Sequence, residues 1–273
     1  MTSLGYKPID VDNHYYEPLD AFTRHLDKKF KHRGVQMLTD GRHTYAVIGE
    51  RVNHFIPNPT FDPIIVPGCL DLLFRGEVPE GVDPASLMKV ERLADHPEYQ
   101  NRDARIAVMD SQGIETVFML PTFACGVEEA LKHDIEATMA SVHAFNLWLD
   151  EDWGFDRPDH RIIAAPIISL ADPEKAVDEV EFVLARGAKL VLVRPARCRV
   201  WSNRGRWAIR STIRCGPGWP RRACQWAFIS ATAAICRSPR CGAASRPSRG
   251  SVPRTRWTWC CSMIARFMTR WPR

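Results

Sequence analysis

The stretch Lys7–Pro18 reads K-P-I-D-V-D-N-H-Y-Y-E-P, and the prediction of the fold starts from it. Ile9 and Val11 alternate with Asp10 and Asp12, which is the period of a short buried strand. Polar side chains follow at once, where such a strand would end. This arrangement predicts a strand that carries a candidate site at its carboxyl end.

The candidate site begins with Asp12 and His14. The two residues are two positions apart, so in an extended chain their side chains point to the same side. A carboxylate beside an imidazole makes half of a divalent metal site. A second interpretation is that Asp12 and Asn13 cap a turn and that His14 packs under it. Glu17 is predicted either to orient His14 through the second ring nitrogen or to be a solvated acid at a helix start.

A regular alternation of helices and strands begins at residue 101. Residues 101–112 predict a helix that ends at Gly113, and Ile114–Leu120 is an apolar run typical of a parallel strand covered on both faces. The same alternation continues with helical signals at 127–150, a strand at 162–168, a helix at 173–186 and a strand at 189–193. It predicts an α/β fold, a TIM-barrel-like (β/α)8 architecture with its site at the strand ends. About four of eight βα units are legible, so the barrel is predicted to be incomplete.

Four further segments lie outside that repeat or at its edge. Residues 19–30 predict a helix, 34–55 a β excursion, 57–84 a lid-like loop rich in Pro and Gly, and 87–96 a short helix. Arg194 follows the strand at 189–193, and its guanidinium is suited to binding a substrate carboxylate with two hydrogen bonds.

Three long motifs carry a family resemblance: I-D-V-D-N-H-Y-Y-E-P, then N-R-D-A-R-I-A-V-M-D-S-Q-G-I-E-T-V-F-M-L-P-T at 101–122, and A-F-N-L-W-L-D-E-D-W at 144–153. With them, residues 7–197 resemble the metal-dependent amidohydrolase superfamily, in the branch that includes aminocarboxymuconate-semialdehyde decarboxylase. The resemblance implies that Asp12 and His14 bind a divalent metal, Zn²⁺ first, with Mn or Fe as alternatives. It also implies hydrolysis or non-oxidative decarboxylation of a small organic substrate.

The composition changes sharply after residue 197. Residues 198–273 contain no Asp, Glu, Lys, His or Tyr, but hold 16 Arg, 7 of the 9 Cys and 7 of the 9 Trp. The first 197 residues therefore hold 21 Lys and Arg (37 less 16) against all 32 acids, a net charge of −11, and the tail carries +16. An arginine-rich disordered arm is one interpretation of such a tail.

The other interpretation is that 198–273 is a GC-rich gene segment translated out of frame, and we favour it. Codons can be chosen for 214–236 that, read two bases further on, encode V-W-A-R-L-A-E-A-G-V-P-V-G-V-H-L-S-D-S-G-Y-L, and Phe228-Ile229 forces His or Tyr in that frame. The codons for Arg197–Trp201 can be read as P-V-P-G-L in the same shifted frame. The family's later metal-binding His and its Asp near the last strand then have no counterpart in the tail.

These observations predict an amidohydrolase-family enzyme that is impaired in this form because metal ligands are missing. The alternative is a non-catalytic product whose basic tail binds polyanions unspecifically. The expected partner is a small-molecule substrate, and neither a specific nucleic acid nor a membrane is expected. The resemblance also allows a homo-oligomer in the intact family form. The first 197 residues hold only Cys69 and Cys125, so no disulfide framework and a cytoplasmic location are expected. Cys125 is interpreted as a packed thiol.

Overall fold

The computed structural model describes residues 6–194 and a two-residue strand at 228–229. The chain divides into two units, 1–233 and 234–273, and every described residue lies in the first. The predicted tail, 198–273, lies outside the described residues except for that strand. A strand there was not predicted, since the tail shows no sustained strand period.

The described elements alternate between strands and helices along most of the chain. The strands are β1 Ile9–His14, β2 Val35–Thr39, β3 Thr44–Ile48, β4 Arg51–Asn53, β5 Ile64–Ile65, β6 Val90–Glu91, β7 Thr116–Leu120, β8 Ile162–Ala164, β9 Ile167–Ile168, β10 Val191–Val193 and β11 Phe228–Ile229. The helices are α1 Asp71–Arg75, α2 Arg102–Gln112, α3 Val127–Ala130, α4 Ile135–Asp152 and α5 Pro173–Ala185. Short 3-10 helices occupy Lys28–Phe30, Pro84–Leu87, Leu93–Asp95, Pro97–Tyr99 and Ala124–Gly126.

Two parallel sheets carry the repeat, in the orders β1-β7-β8 and β9-β10-β11. In the first sheet His14 pairs with Leu120, and Met119 pairs with Ala164, so the carboxyl ends of three strands meet at one edge. In the second, Leu192 pairs with Ile167 on one side and with Ile229 on the other. Parallel strands joined by helices confirm the predicted α/β class.

The core lies between the first sheet and α4. Tyr15 is fully buried there, with its ring 5.6 Å from that of Trp148 and 5.5 Å from that of Trp153. Burying aromatic rings of this size is worth about 2–3 kcal/mol each in apolar transfer alone. Because Tyr15 follows His14 directly, this packing fixes the backbone at the end of β1.

The β excursion is confirmed within its predicted range. Strands β2, β3 and β4 form an antiparallel sheet, and Thr39 pairs with Thr44 across the turn. Gly41 has a φ of 91°, which favours glycine at that turn. The lid-like segment 57–84 is less irregular than predicted, because it contains β5 and α1 and because β5 pairs with β6.

Two predicted helices are wrong. Residues 19–30 form turns and only the 3-10 helix Lys28–Phe30, because the Asp27 side chain accepts the Lys29 amide and caps a new, short element. Residues 87–96 contain β6 and the 3-10 helix Leu93–Asp95 instead of an α-helix. Pairing with β5 and a hydrogen bond from the Leu93 amide to Asp62 override the local helical pattern there.

The helix at 101–112 is confirmed, and its two caps explain its bounds. The Asn101 side chain accepts the Ala104 amide, and Gly113 ends the helix with a φ of 72°. Among the described residues, no helix has both the length and the apolar character needed to cross a bilayer.

The pair His143–Glu179 joins α4 to α5 and gives a pH-dependent prediction. The ring Nδ1 of His143 lies 2.7 Å from the Glu179 carboxylate, and that hydrogen bond raises the pKa of His143 above its ordinary value. The stabilisation is therefore fully present below about pH 6.5 and is lost as the pH rises through the raised pKa. We expect His143→Gln to lower the free energy of unfolding more at pH 5.5 than at pH 9, measured by urea denaturation. An equal effect at both pH values would contradict the pairing.

Candidate metal centre and its family

Asp12 and His14 come together at the end of β1, as the sequence predicts. The distance from His14 Nε2 to Asp12 Oδ1 is 3.3 Å. Both side chains are accessible, with 44% of His14 and 80% of Asp12 exposed. Their neighbours Tyr15 and Glu17 are buried. The end of β1 therefore has a core side, with Tyr15 and Glu17, and an open side, with Asp12 and His14. Whether the open side is a barrel interior stays a prediction.

A bulge in β1 sets this arrangement. Asp10 pairs with Val117 but Asn13 pairs with Met119, so the pairing shifts between them. The Asp10 carboxylate closes the bulge by accepting the Asp12 amide at 3.0 Å and the Asn13 side-chain amide at 2.7 Å. Bulges of this kind redirect side chains near functional sites. The sequence analysis did not anticipate the bulge.

Both ring nitrogens of His14 have a neighbour. His14 Nδ1 lies 3.2 Å from the Pro121 carbonyl oxygen, which can only accept. Nε2 faces the Asp12 carboxylate, which also only accepts, so each ring nitrogen has an acceptor as its neighbour. Nε2 and the Asp12 carboxylate are 3.3 Å apart, close enough for both to bind one cation when Nε2 carries no proton.

Glu17 has a different set of partners from the predicted one. Its carboxylate is buried and accepts the backbone amides of Thr122, Phe123 and Ala124, each at 3.0 Å. The contacts of the His14 ring are to Asp12 and Pro121. Glu17 is thus neither a direct hydrogen-bond partner of His14 nor a solvated acid. Burial raises the pKa of Glu17 to about 7, although the three amides oppose that shift.

Arg194 is also engaged differently from the prediction. It follows β10 and forms an ion pair with Glu129, and its Nε lies 3.5 Å from the buried Glu128 carboxylate. Ser169, which follows β9, donates to the same Glu128 at 2.9 Å. Two carboxylates already take up the guanidinium charge, so its role in binding a substrate carboxylate stays a prediction that this geometry does not favour.

Cys125 lies beside this cluster and has the character of a packed thiol. Its Sγ donates to the Pro121 carbonyl at 3.2 Å, and burial raises its pKa to about 12. A thiol with such a pKa is protonated at neutral pH and is a poor nucleophile or metal ligand. A small cavity lies here, lined by Ala124, Cys125, Glu128, Ile167, Leu192, Val193 and Arg194.

The donor set in the described part of the chain fits a metal only in part. A catalytic Zn²⁺ site typically has about three protein ligands and an open position. Across residues 6–194, no three His, Cys, Asp or Glu side chains converge in a way that would hold an ion. Asp12 and His14 have the right chemistry for two ligands, and within the part of the chain that the structure describes no third ligand joins them.

The comparisons with known proteins identify the family. No family model and no curated protein matches this chain. A crystal structure of an amidohydrolase from Mycobacterium avium subsp. paratuberculosis K-10 is similar to it, at 88% sequence identity and a TM-score of 0.70. The match covers 72% of this chain and 51% of that one. The chain belongs to the amidohydrolase superfamily, and it spans about half the length of that relative.

A substitution at Arg194 tests the role that the structure gives it. Arg194→Leu removes the cation beside the buried Glu128 and is expected to lower the free energy of unfolding by about 3–5 kcal/mol at pH 8. Burial raises the pKa of Glu128, and Arg194 opposes that shift, so the variant carboxyl protonates more readily. The loss should therefore shrink at pH 5, in urea denaturation at both pH values.

The matched control for this substitution is the double variant Glu128→Gln/Arg194→Leu, which leaves no buried charge at the pair. It is expected to recover most of the stability at pH 8. A loss at Arg194→Leu that is the same at both pH values and persists in the double variant would contradict the ion-pair role.

Proposed function

We propose that residues 1–197 are the first part of a metal-dependent amidohydrolase whose intact form is a (β/α)8 barrel. The observation that carries the proposal is the His14–Asp12 pair, with Nδ1 held by a carbonyl and Nε2 facing a carboxylate. The high identity to a solved amidohydrolase and the parallel order β1-β7-β8 support it.

In this proposal Asp12 and His14 are the first two ligands of a divalent ion. Such an ion, when bound, would polarise a substrate oxygen or lower the pKa of a bound water. The chain's own contribution is to hold two donors at the accessible end of β1. Zn²⁺ suits an imidazole and a carboxylate, and Mn or Fe remain alternatives. The reaction is hydrolysis of a small organic substrate or, in the decarboxylase-like branch, non-oxidative loss of CO₂.

We further propose that this chain is impaired, because its second half supplies no remaining ligand of the expected type. The tail at 198–273 has no His, Asp or Glu. The solved amidohydrolase matches 72% of 273 residues, or about 197, a length equal to the segment before the composition changes. The coincidence supports a change of reading frame near codon 197 over an evolved arginine-rich arm.

A non-catalytic role is the second candidate, and the charge distribution favours it. The tail carries +16 while the first 197 residues carry −11, and a segment with 16 Arg binds polyanions through salt-sensitive contacts. Such binding would show little sequence preference and would weaken steeply with added salt. Metal content and turnover separate this candidate from the enzyme.

The test of the proposed function compares the 273-residue chain with its frame-corrected version. Both are purified, their bound metal is measured, and both are assayed against ester, amide and aromatic-carboxylate substrates. We expect stoichiometric metal and turnover only in the frame-corrected version. Comparable metal and turnover in the 273-residue chain would overturn the proposed impairment, and a metal-free, fully active corrected version would overturn the metal dependence.

A second test concerns the two ligands themselves. In the frame-corrected version, His14→Gln is expected to lower metal affinity by at least about 100-fold, since it removes a direct ligand. His160→Gln is the matched control, because His160 Nδ1 also lies 2.8 Å from a carboxylate, that of Asp156, at an exposed position. Metal content after dialysis should fall in the first variant alone. Equal metal content in both variants would contradict the assignment of His14.

A further inference from the structure

The turn 121–124, between β7 and α3, contacts the end of β1 at three points. The Pro121 carbonyl lies 3.2 Å from His14 Nδ1. The Thr122 hydroxyl donates to the Tyr15 carbonyl at 2.7 Å. Three amides of the turn donate to the Glu17 carboxylate. The strand end and the turn are therefore bound as one unit.

Glu17 is the anchor of that unit. Its two oxygens accept three consecutive backbone amides, and no Lys, Arg or His in the described residues pairs with it. A carboxylate offers only acceptors, which is what converging amide donors require. An amide side chain at this position would turn an NH₂ group toward one of those donors. A buried, unpaired N–H of this kind costs about 1–3 kcal/mol.

We propose that Glu17 is a positioning residue for His14 that acts through the turn. By holding the amides of 122–124, Glu17 fixes the Pro121 carbonyl, and that carbonyl holds the proton of His14 on Nδ1. Nε2 is then left free beside Asp12. Without the anchor, the proton is better placed on Nε2, where it donates to Asp12 Oδ1 at 3.3 Å.

That a free Nε2 would bind a metal rests on the proposed function. Which ring nitrogen of His14 carries the proton does not depend on that function. Metal ligands of the imidazole type commonly donate their second nitrogen to a carbonyl or carboxylate, which fixes the tautomer. Here the carbonyl belongs to Pro121. In this proposal its position depends on Glu17, a buried acid three residues after the ligand His14. This relation was not visible in the sequence, where Glu17 and Pro121 are 104 positions apart.

The experiment measures the tautomer of His14 in the metal-free 273-residue chain, from the ¹⁵N chemical shifts of its ring nitrogens, at about pH 9. That pH lies above the pKa of about 7 to which burial raises Glu17, so its side chain is a carboxylate. In the wild-type chain we expect a protonated Nδ1 and a free Nε2. In Glu17→Gln we expect the proton to shift toward Nε2. A wild-type ring already protonated on Nε2 would overturn the proposal even if the variant did not fold.

Glu179→Gln is the matched control. Glu179 is also a buried acid, and it accepts from His143 and Asn146 instead of from the turn. It should alter the shifts of His143 and leave those of His14 unchanged. A general loss of packing would move both rings in both variants, and an unchanged His14 ring in a folded Glu17→Gln chain would also overturn the proposal.

The outcome is separable from the test of the proposed function. A tautomer shift in Glu17→Gln, together with a frame-corrected enzyme that binds no metal, would support the positioning role and overturn the metal site. An unchanged tautomer with a metal-dependent corrected enzyme would do the reverse.

Discussion

Parallel pairing of β1 with β7 is the constraint on which the rest of the described structure depends. It sets His14 opposite Leu120, so that both strands end at the same edge. The turn after Leu120 then reaches the ring of His14 and the carboxylate of Glu17. One register thus brings the turn to the ring of His14, buries the acid and leaves the Asp12–His14 pair exposed.

The sequence predicted what depends on local pattern. Apolar runs and cap residues located the strand at 116–120 and the helix at 102–112, because period and capping are encoded within a few residues. The helix expected at 19–30 failed because Asp27 competes for a backbone amide. Long-range pairing of β5 with β6 likewise replaced the helix expected at 87–96.

The site was predictable only as a list of residues. The spacing of Asp12 and His14 brought them together, since alternate residues of a strand share a side. The bulge held by Asp10, the amides that bind Glu17 and the acids that engage Arg194 come from tertiary contacts. No local pattern encodes those partners, and for that reason the amides that bind Glu17 and the acids that pair with Arg194 were not predicted.

The nucleotide sequence around codon 197 tests the central claim most directly, because the claim joins a genuine amidohydrolase segment to a segment translated out of frame. The account predicts an open frame, displaced by two bases, that runs on from Arg197 and places a His at the codons for Phe228 and Ile229. It also predicts acidic residues further along the same frame, because the codons for residues 257–271 can be read there as D-L-V-L-L-D-D-R-A-I-H-D-T-M. Stop codons early in that frame, or a Tyr codon in place of His with no acids beyond it, would contradict the account.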